Sequence, residues 1–177
     1  MHISAMIIIR SHREIEQLKR SNAIVAEVFE KLKGMILPGI TTKELDQVAE
    51  EYILLKGARP AFKGYRGFPA TLCISINEEV VHGIPGERRL NKGDIVSLDV
   101  GVDFVGYFGD AAITLPVGEV DPAAKRLLEV TEKALYIGIE KAKAGNRLFD
   151  ISYAIQGWVE SHGFSVVRDF VGHGIGR

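Results

Sequence analysis

The period of the hydrophobic pattern changes along the chain. From Ser11 onward, Ile15, Leu18, Val25, Phe29 and Leu32 recur at helical spacing. Ser11 and Glu14 stand as a capping box ahead of them: a hydroxyl for the N3 amide, a carboxylate reaching back to the cap amide. This helix must end near Gly34, because Pro38-Gly39 cannot continue it. Thr41 and Glu44 form a second box, followed by Leu45, Val48, Ala49, Tyr52 and Leu55 on one helix face, closed by Gly57. The period then shortens. Thr71 to Ile76, Ile95 to Val100 and Ala111 to Val117 read as strands punctuated by Gly and Pro. Asp121-Pro122 opens a third helix, with Asp as cap and Pro in the first turn. Gly145 separates it from a fourth, near Phe149 to His162, ended by Gly163. A short strand, Phe164 to Arg168, is expected before Gly172-His173-Gly174-Ile175-Gly176-Arg177.

The pattern repeats itself. Displaced by 106 positions, Gly39, Leu45, Val48, Ala49, Tyr52 and Gly57 fall on Gly145, Ile151, Ala154, Ile155, Trp158 and Gly163. Two amphipathic hairpins can be slid into phase by chance, but both bounding glycines match at one offset. A duplicated helix-helix-strand unit in an α+β fold follows. The expectation is one domain over residues 1–177, with a first repeat at about 7–117 and the start of a second, incomplete one at about 118–177.

Composition narrows the function little. Apolar residues make up 46% and charged residues 25%, ordinary for a globular protein, and a net charge of -1 gives no reason to expect nucleic acid or an anionic membrane as partner. Cys73 is the single cysteine, so no internal disulfide can form, which suits a reducing cytoplasm. The early apolar run Ala5 to Ile9 is too short for a signal segment or a membrane span. Met1 to Ala5 precede a second Met6 and stay outside the fold argument.

Chemistry concentrates on the strands. A turn centred on Phe104 and Val105 makes a hairpin that sets Asp99 directly opposite Asp110, with Cβ atoms about 5 Å apart. Two ionised carboxylates so close repel unless a cation lies between them. A pair of divalent ions resolves this; two solvated aspartates near a turn fit the spacing equally. His173, between glycines, could project into a cleft, and His82 in Val81-His82-Gly83-Ile84-Pro85 is open in the same way. Tyr65, Phe68 and Cys73 offer aromatic and sulfur surface, which would equally suit ordinary packing. Neither a phosphate-cradling loop nor a nucleophile elbow is present, and nothing marks Cys73 as an activated thiolate.

In order and spacing, Phe62-Lys63-Gly64-Tyr65, Cys73-Ile74-Ser75-Ile76-Asn77-Glu78, Val81-His82-Gly83-Ile84-Pro85, Asp99 with Asp110, and Gly172-His173-Gly174-Ile175-Gly176-Arg177 resemble type I methionine aminopeptidases from about residue 7 onward. The resemblance implies the duplicated "pita-bread" fold and metal-dependent removal of N-terminal methionine from nascent proteins and peptides. It implies two divalent ions (manganese, iron, cobalt or zinc) with Asp99, Asp110 and His173 among their ligands. His82 would contact the substrate near the scissile amide, and Tyr65, Phe68 and Cys73 would wall the methionine pocket. Phe62 stands where some members carry a cysteine. A second histidine and two glutamates of the family's set lie beyond Arg177, one of those glutamates being the usual water-activating base. The implied site is therefore incompletely ligated, with weak metal binding and little activity. Ribosome-associated nascent chains are implied partners, and an unpaired sheet edge implies self-association. Two other readings remain: a relative that cleaves Xaa-Pro peptides, and a non-catalytic binding module on the same fold.

Overall fold

The computed structural model describes residues 8–177. Met6 and the first part of the Ala5–Ile9 run lie outside the described residues, as does the start of the first repeat at residue 7. Four helices, α1 (His12–Lys33), α2 (Thr42–Leu55), α3 (Pro122–Lys141) and α4 (Leu148–Ser161), accompany four strands: β1 (Arg59–Pro60), β2 (Leu72–Ile76), β3 (Ile95–Phe104) and β4 (Tyr107–Pro116).

The helix starts follow the caps. In α1 the Ser11 hydroxyl accepts from the Glu14 amide while Glu14 accepts from the Ser11 amide, and Thr41 and Glu44 do the same for α2. Each such cap stabilises its helix by about 1 kcal/mol. Asp121 accepts from the amides of Ala123 and Ala124 at the head of α3. On α1 the buried stripe is Ser21, Ile24, Val25, Val28, Phe29 and Leu32, one turn further along than Ile15 and Leu18 suggest; Ile15 is exposed. On α2, Leu45, Ala49 and Ile53 turn inward and Leu55 outward.

All four strands form one antiparallel sheet around β3, with β1 and β2 along one side and β4 on the other. Alternation along β3 splits the sheet into two faces. Val96, Leu98, Val100 and Val102 are completely buried in a core that includes Val28, Leu32, Leu45 and Ile53. Burying each of these aliphatic side chains is worth about 1.5–3 kcal/mol, so this face drives assembly. Gly109 of β4 lies on the core face, where the chain of α1 runs directly over it: a Cβ there would sit 2.6 Å from the Ser21 carbonyl carbon. The opposite face carries Cys73, Ser75, Ser97, Asp99, Gly101, Asp110 and Thr114, and this is where the chemistry lies.

Two expectations need correction. The β3–β4 turn is Val105-Gly106, both at positive φ (55° and 78°), not Phe104-Val105. That geometry is the two-residue hairpin turn whose twist matches the strands, and the Asp103 carboxylate accepts the Gly106 amide to hold it. Asp99 consequently pairs with Ala112, and Asp110 with Gly101. The segment Phe164 to Arg168 is not a strand; among the described residues no strand pairs with it.

The repeat survives in three dimensions. Displaced by 106, Thr42 falls on Leu148 and Leu55 on Ser161, the two ends of α4. Gly39 and Gly145 share φ values of 96° and 94°, and Gly57 and Gly163 are both left-handed. The environments differ. Phe29 is buried by the sheet, while its counterpart Leu135 is 57% exposed, and α4 has no buried residue at all. Each sheet edge is met by a loop at one point. The Ile74 amide donates to the Gly83 carbonyl, and the Phe108 amide donates to the Gly176 carbonyl.

Candidate active site

Asp99 reaches the open face because β3 alternates, and its neighbours Leu98 and Val100 hold the strand by their burial. Cys73 lies directly across the ladder from it on β2. Asp110 lies on the same face, diagonal to Asp99, at roughly 7 Å rather than the 5 Å of a direct pair. The register correction therefore loosens the carboxylate pair without separating its members.

Neither carboxylate accepts a hydrogen bond or ion pair among the described residues. Other aspartates that border the sheet have partners: Asp46 of α2 the amides of Thr71 and Leu72, Asp94 the Asn77 side chain and the Asn91 amide, Asp103 the Arg59 guanidinium. Burial first, then the charge of Asp110, pushes the Asp99 carboxyl up to about 6. Burial raises Asp110 as well. The imidazoles of His82 and His173 lie close enough to Asp99 to act in the opposite direction on it. Two half-buried carboxylates without a partner are the donor chemistry that a divalent cation satisfies.

A third donor is not in place. Among the described residues no three His, Cys, Asp or Glu side chains are grouped so as to hold one ion. His173 is exposed, with Nδ1 3.1 Å from the Gly174 carbonyl oxygen. The residues thus fit a cation at the aspartate pair and fall short of a closed cage.

His82 has φ +61°, a left-handed backbone rare outside glycine, at a cost of about 1–2 kcal/mol. Its ring meets the Phe170 ring edge-on, with centroids 6.2 Å apart. Phe62 covers the same face: its Cε1 is 2.5 Å from where a Gly101 Cβ would stand, so only glycine lets the ring lie there. Cys73 is buried, and desolvation with the charges of Asp99, Asp110 and Asp46 pushes its thiol up to about 12. A thiol held neutral in this way is no nucleophile. Tyr65 is 64% exposed on a short 3₁₀ turn (Tyr65–Gly67), with Phe68 half-buried beside it. Hollows of about 590 and 340 Å3 lie on the α3–α4 hairpin, lined by Arg126 and Phe164 and by Asn146 and Tyr153, away from these residues.

Sequence reasoning passed over Asp46. Its carboxylate accepts both amides at the head of β2, at 2.9 and 2.7 Å, and so helps fix the strand that carries Cys73. On the sequence it is an ordinary polar position of α2, with partners 25 and 26 residues away.

The chain as a whole is similar to known proteins. Residues 16–177 match metallopeptidase family M24. Methionine aminopeptidase 1 of Bacillus subtilis (strain 168) is 54% identical over 172 residues, spanning 97% of this chain and 69% of that protein. The chain belongs to metallopeptidase family M24, among the methionine aminopeptidases. The crystal structure of methionine aminopeptidase from Thermotoga maritima superposes with a TM-score of 0.94 at 44% identity, over 97% of this chain and 69% of that one. A Xaa-Pro dipeptidase from Bacillus anthracis shares the fold at a TM-score of 0.81, with 25% identity, over 95% of this chain and 46% of its own. The M24 assignment makes the α+β architecture a pita-bread fold.

Proposed function

We propose that this chain carries the substrate-recognising and carboxylate-bearing portion of a metal-dependent aminopeptidase that removes N-terminal methionine. The observation that carries the reading is the carboxylate pair: Asp99 and Asp110 share one face, half-buried, with no hydrogen bond to either among the described residues. Such a pair repels itself until a cation is present. Asp99 and Asp110 would hold divalent ions, with His173 turning inward as a further ligand. Bound there, manganese, iron, cobalt or zinc would supply Lewis-acid polarisation of the scissile carbonyl and water activation.

The chain's own residues do the rest. His82 would hydrogen-bond the substrate at the amide to be cut, and Phe62, Tyr65, Phe68 and Cys73 would enclose the methionine side chain and exclude water. A neutral Cys73 thiol suits a thioether better than a thiolate would. The identity to methionine aminopeptidases, well above that to the Xaa-Pro dipeptidase, supports methionine as the recognised side chain. Retention of both carboxylates speaks against a purely non-catalytic binding module.

The organisation we propose is a single catalytic unit, with a first repeat at about 7–117 and a second beginning at about 118. The ends of α2 and α4 support that division. Among the described residues no helix is long and apolar enough to cross a membrane. The reading places action in the cytoplasm, on peptides or ribosome-associated nascent chains beginning with Met. The exposed Leu135, Tyr136, Ile139, Leu148, Phe149 and Tyr153 support self-association through the helix hairpin more than through the sheet edge. On the full-length protein, comparing hydrolysis of Met-Ala-Ser with Ala-Pro-Ala, with and without added manganese, tests the reading. Metal-dependent cleavage of the first peptide alone agrees with it; preference for the second contradicts it.

A further inference from the structure

His82 lies in a loop whose backbone is attached to the sheet at the next residue. The Ile74 amide donates to the Gly83 carbonyl oxygen at 2.9 Å, and the Gly83 amide donates to the Ser75 hydroxyl at 3.2 Å. The approach is so close that a Cβ on Gly83 would stand 2.0 Å from the Ile74 oxygen. Ser75 is a β2 residue, 3% exposed, on the same face as Cys73. It pairs with Ser97, whose own hydroxyl shares a hydrogen bond of 2.8 Å with Thr114.

The remaining anchors of this loop lie further from His82. Glu79 accepts the Ile76 amide and pairs with Arg88, and Gly86 exchanges hydrogen bonds with Thr42. The His82 ring itself meets Phe170 of the exposed C-terminal segment. His82 itself has a left-handed φ, and its imidazole lies near enough to Asp99 for charge on it to act on that carboxylate. The Gly83 attachment lies one residue from that φ.

We infer that Ser75 is a positioning residue: through the Gly83 amide it holds the His82 imidazole over the face that bears Asp99. This rests on the reading of His82 as the substrate-contacting histidine. Ser75 touches neither Asp99 nor substrate in this role; it acts on one backbone amide.

The test is nuclear magnetic resonance on the 177-residue chain and its Ser75→Ala, Ser75→Thr and Ser97→Ala variants. In Ser75→Ala, hydrogen exchange at the Gly83 amide should quicken roughly five- to ten-fold, the ordinary consequence of losing one neutral acceptor. The His82 ring resonances should shift in the same variant while the amides of Val96 to Val100 stay protected, which separates repositioning from unfolding. Ser75→Thr, which keeps the acceptor, should restore both signals towards those of the parent. Ser97→Ala should leave Gly83 and His82 unchanged. An unchanged Gly83 exchange rate in Ser75→Ala, or an equal response in Ser97→Ala, overturns the inference. Separately, adding a methionyl peptide to the parent chain and finding no change at His82 would contradict the reading of that histidine, whatever the Ser75 variants show.

Discussion

Asp110 stands diagonally across the β3–β4 ladder from Asp99, facing Gly101, while Asp99 itself faces Ala112 on one side and Cys73 on the other. The small partners matter. Ala112 and Gly101 leave room beside each carboxylate, and the Phe62 ring fills part of the space above Gly101. A direct aspartate pair would crowd both charges into one position; the diagonal spreads them over a span that two ions, or one ion and water, can bridge.

The first prediction concerns stability without metal. Burial raises Asp99 in the folded chain, so its contribution is stabilising below its unfolded value near 3.8 and is lost as pH rises through about 6. Asp99→Asn should therefore stabilise the metal-free chain at pH 7, by about 1 kcal/mol once screening by water is allowed for. Urea unfolding in the presence of a chelator measures this. A destabilised variant would mean that Asp99 has a partner the structure does not contain.

Metal affinity should depend on pH through the same group. A cation binds the ionised form, so affinity should be steady above about pH 6 and fall towards tenfold per pH unit below it. Manganese titrations between pH 5 and 8 would reveal this; a flat profile would place the ion elsewhere.

Much of the fold is legible in the sequence because its signals are local. The Ser11–Glu14 and Thr41–Glu44 boxes, the Asp121-Pro122 start and the left-handed Gly57 and Gly163 each act within a few residues. The β3–β4 register is not legible there, because it depends on Val105, a β-branched residue in a left-handed turn, where its type argues against such a φ. The two-residue strand β1 and the Asp46 clamp are long-range facts: Arg59 pairs with Asp103, and Asp46 reaches β2. At the site, the residue types and their shared face could be read from alternation. The incomplete grouping of His173 with the aspartates could not, because its segment has no regular structure to give a period.

Gly109 offers a test of the packing. With backbone atoms of Ser21 and Asn22 within 2.7 Å of a would-be Cβ, Gly109→Ala must push α1 away from β4. Overpacking of this kind costs about 1–3 kcal/mol, and more when backbone rather than side chain must move. Thermal unfolding should show a clear drop in Tm. An unchanged Tm would mean that α1 does not lie so close to the sheet.

Asp46 is expected to matter in proportion to the amides it serves. Asp46→Ala leaves the Thr71 and Leu72 amides without their acceptor and should destabilise the chain by about 1–3 kcal/mol. Asp46→Asn keeps an acceptor oxygen and should recover most of the loss, because burial already opposes the charged form. Equal losses in the two variants would mean that charge, not the hydrogen bonds, is what β2 requires.

The central claim is that Asp99 and Asp110 together form a divalent-cation site, and calorimetric titration of manganese tests it most directly. The account predicts saturable binding to the parent chain, weakened at least tenfold by Asp99→Asn and by Asp110→Asn alike, with Asp46→Asn unaffected. Binding that survives both substitutions, or that is lost equally in Asp46→Asn, would contradict it.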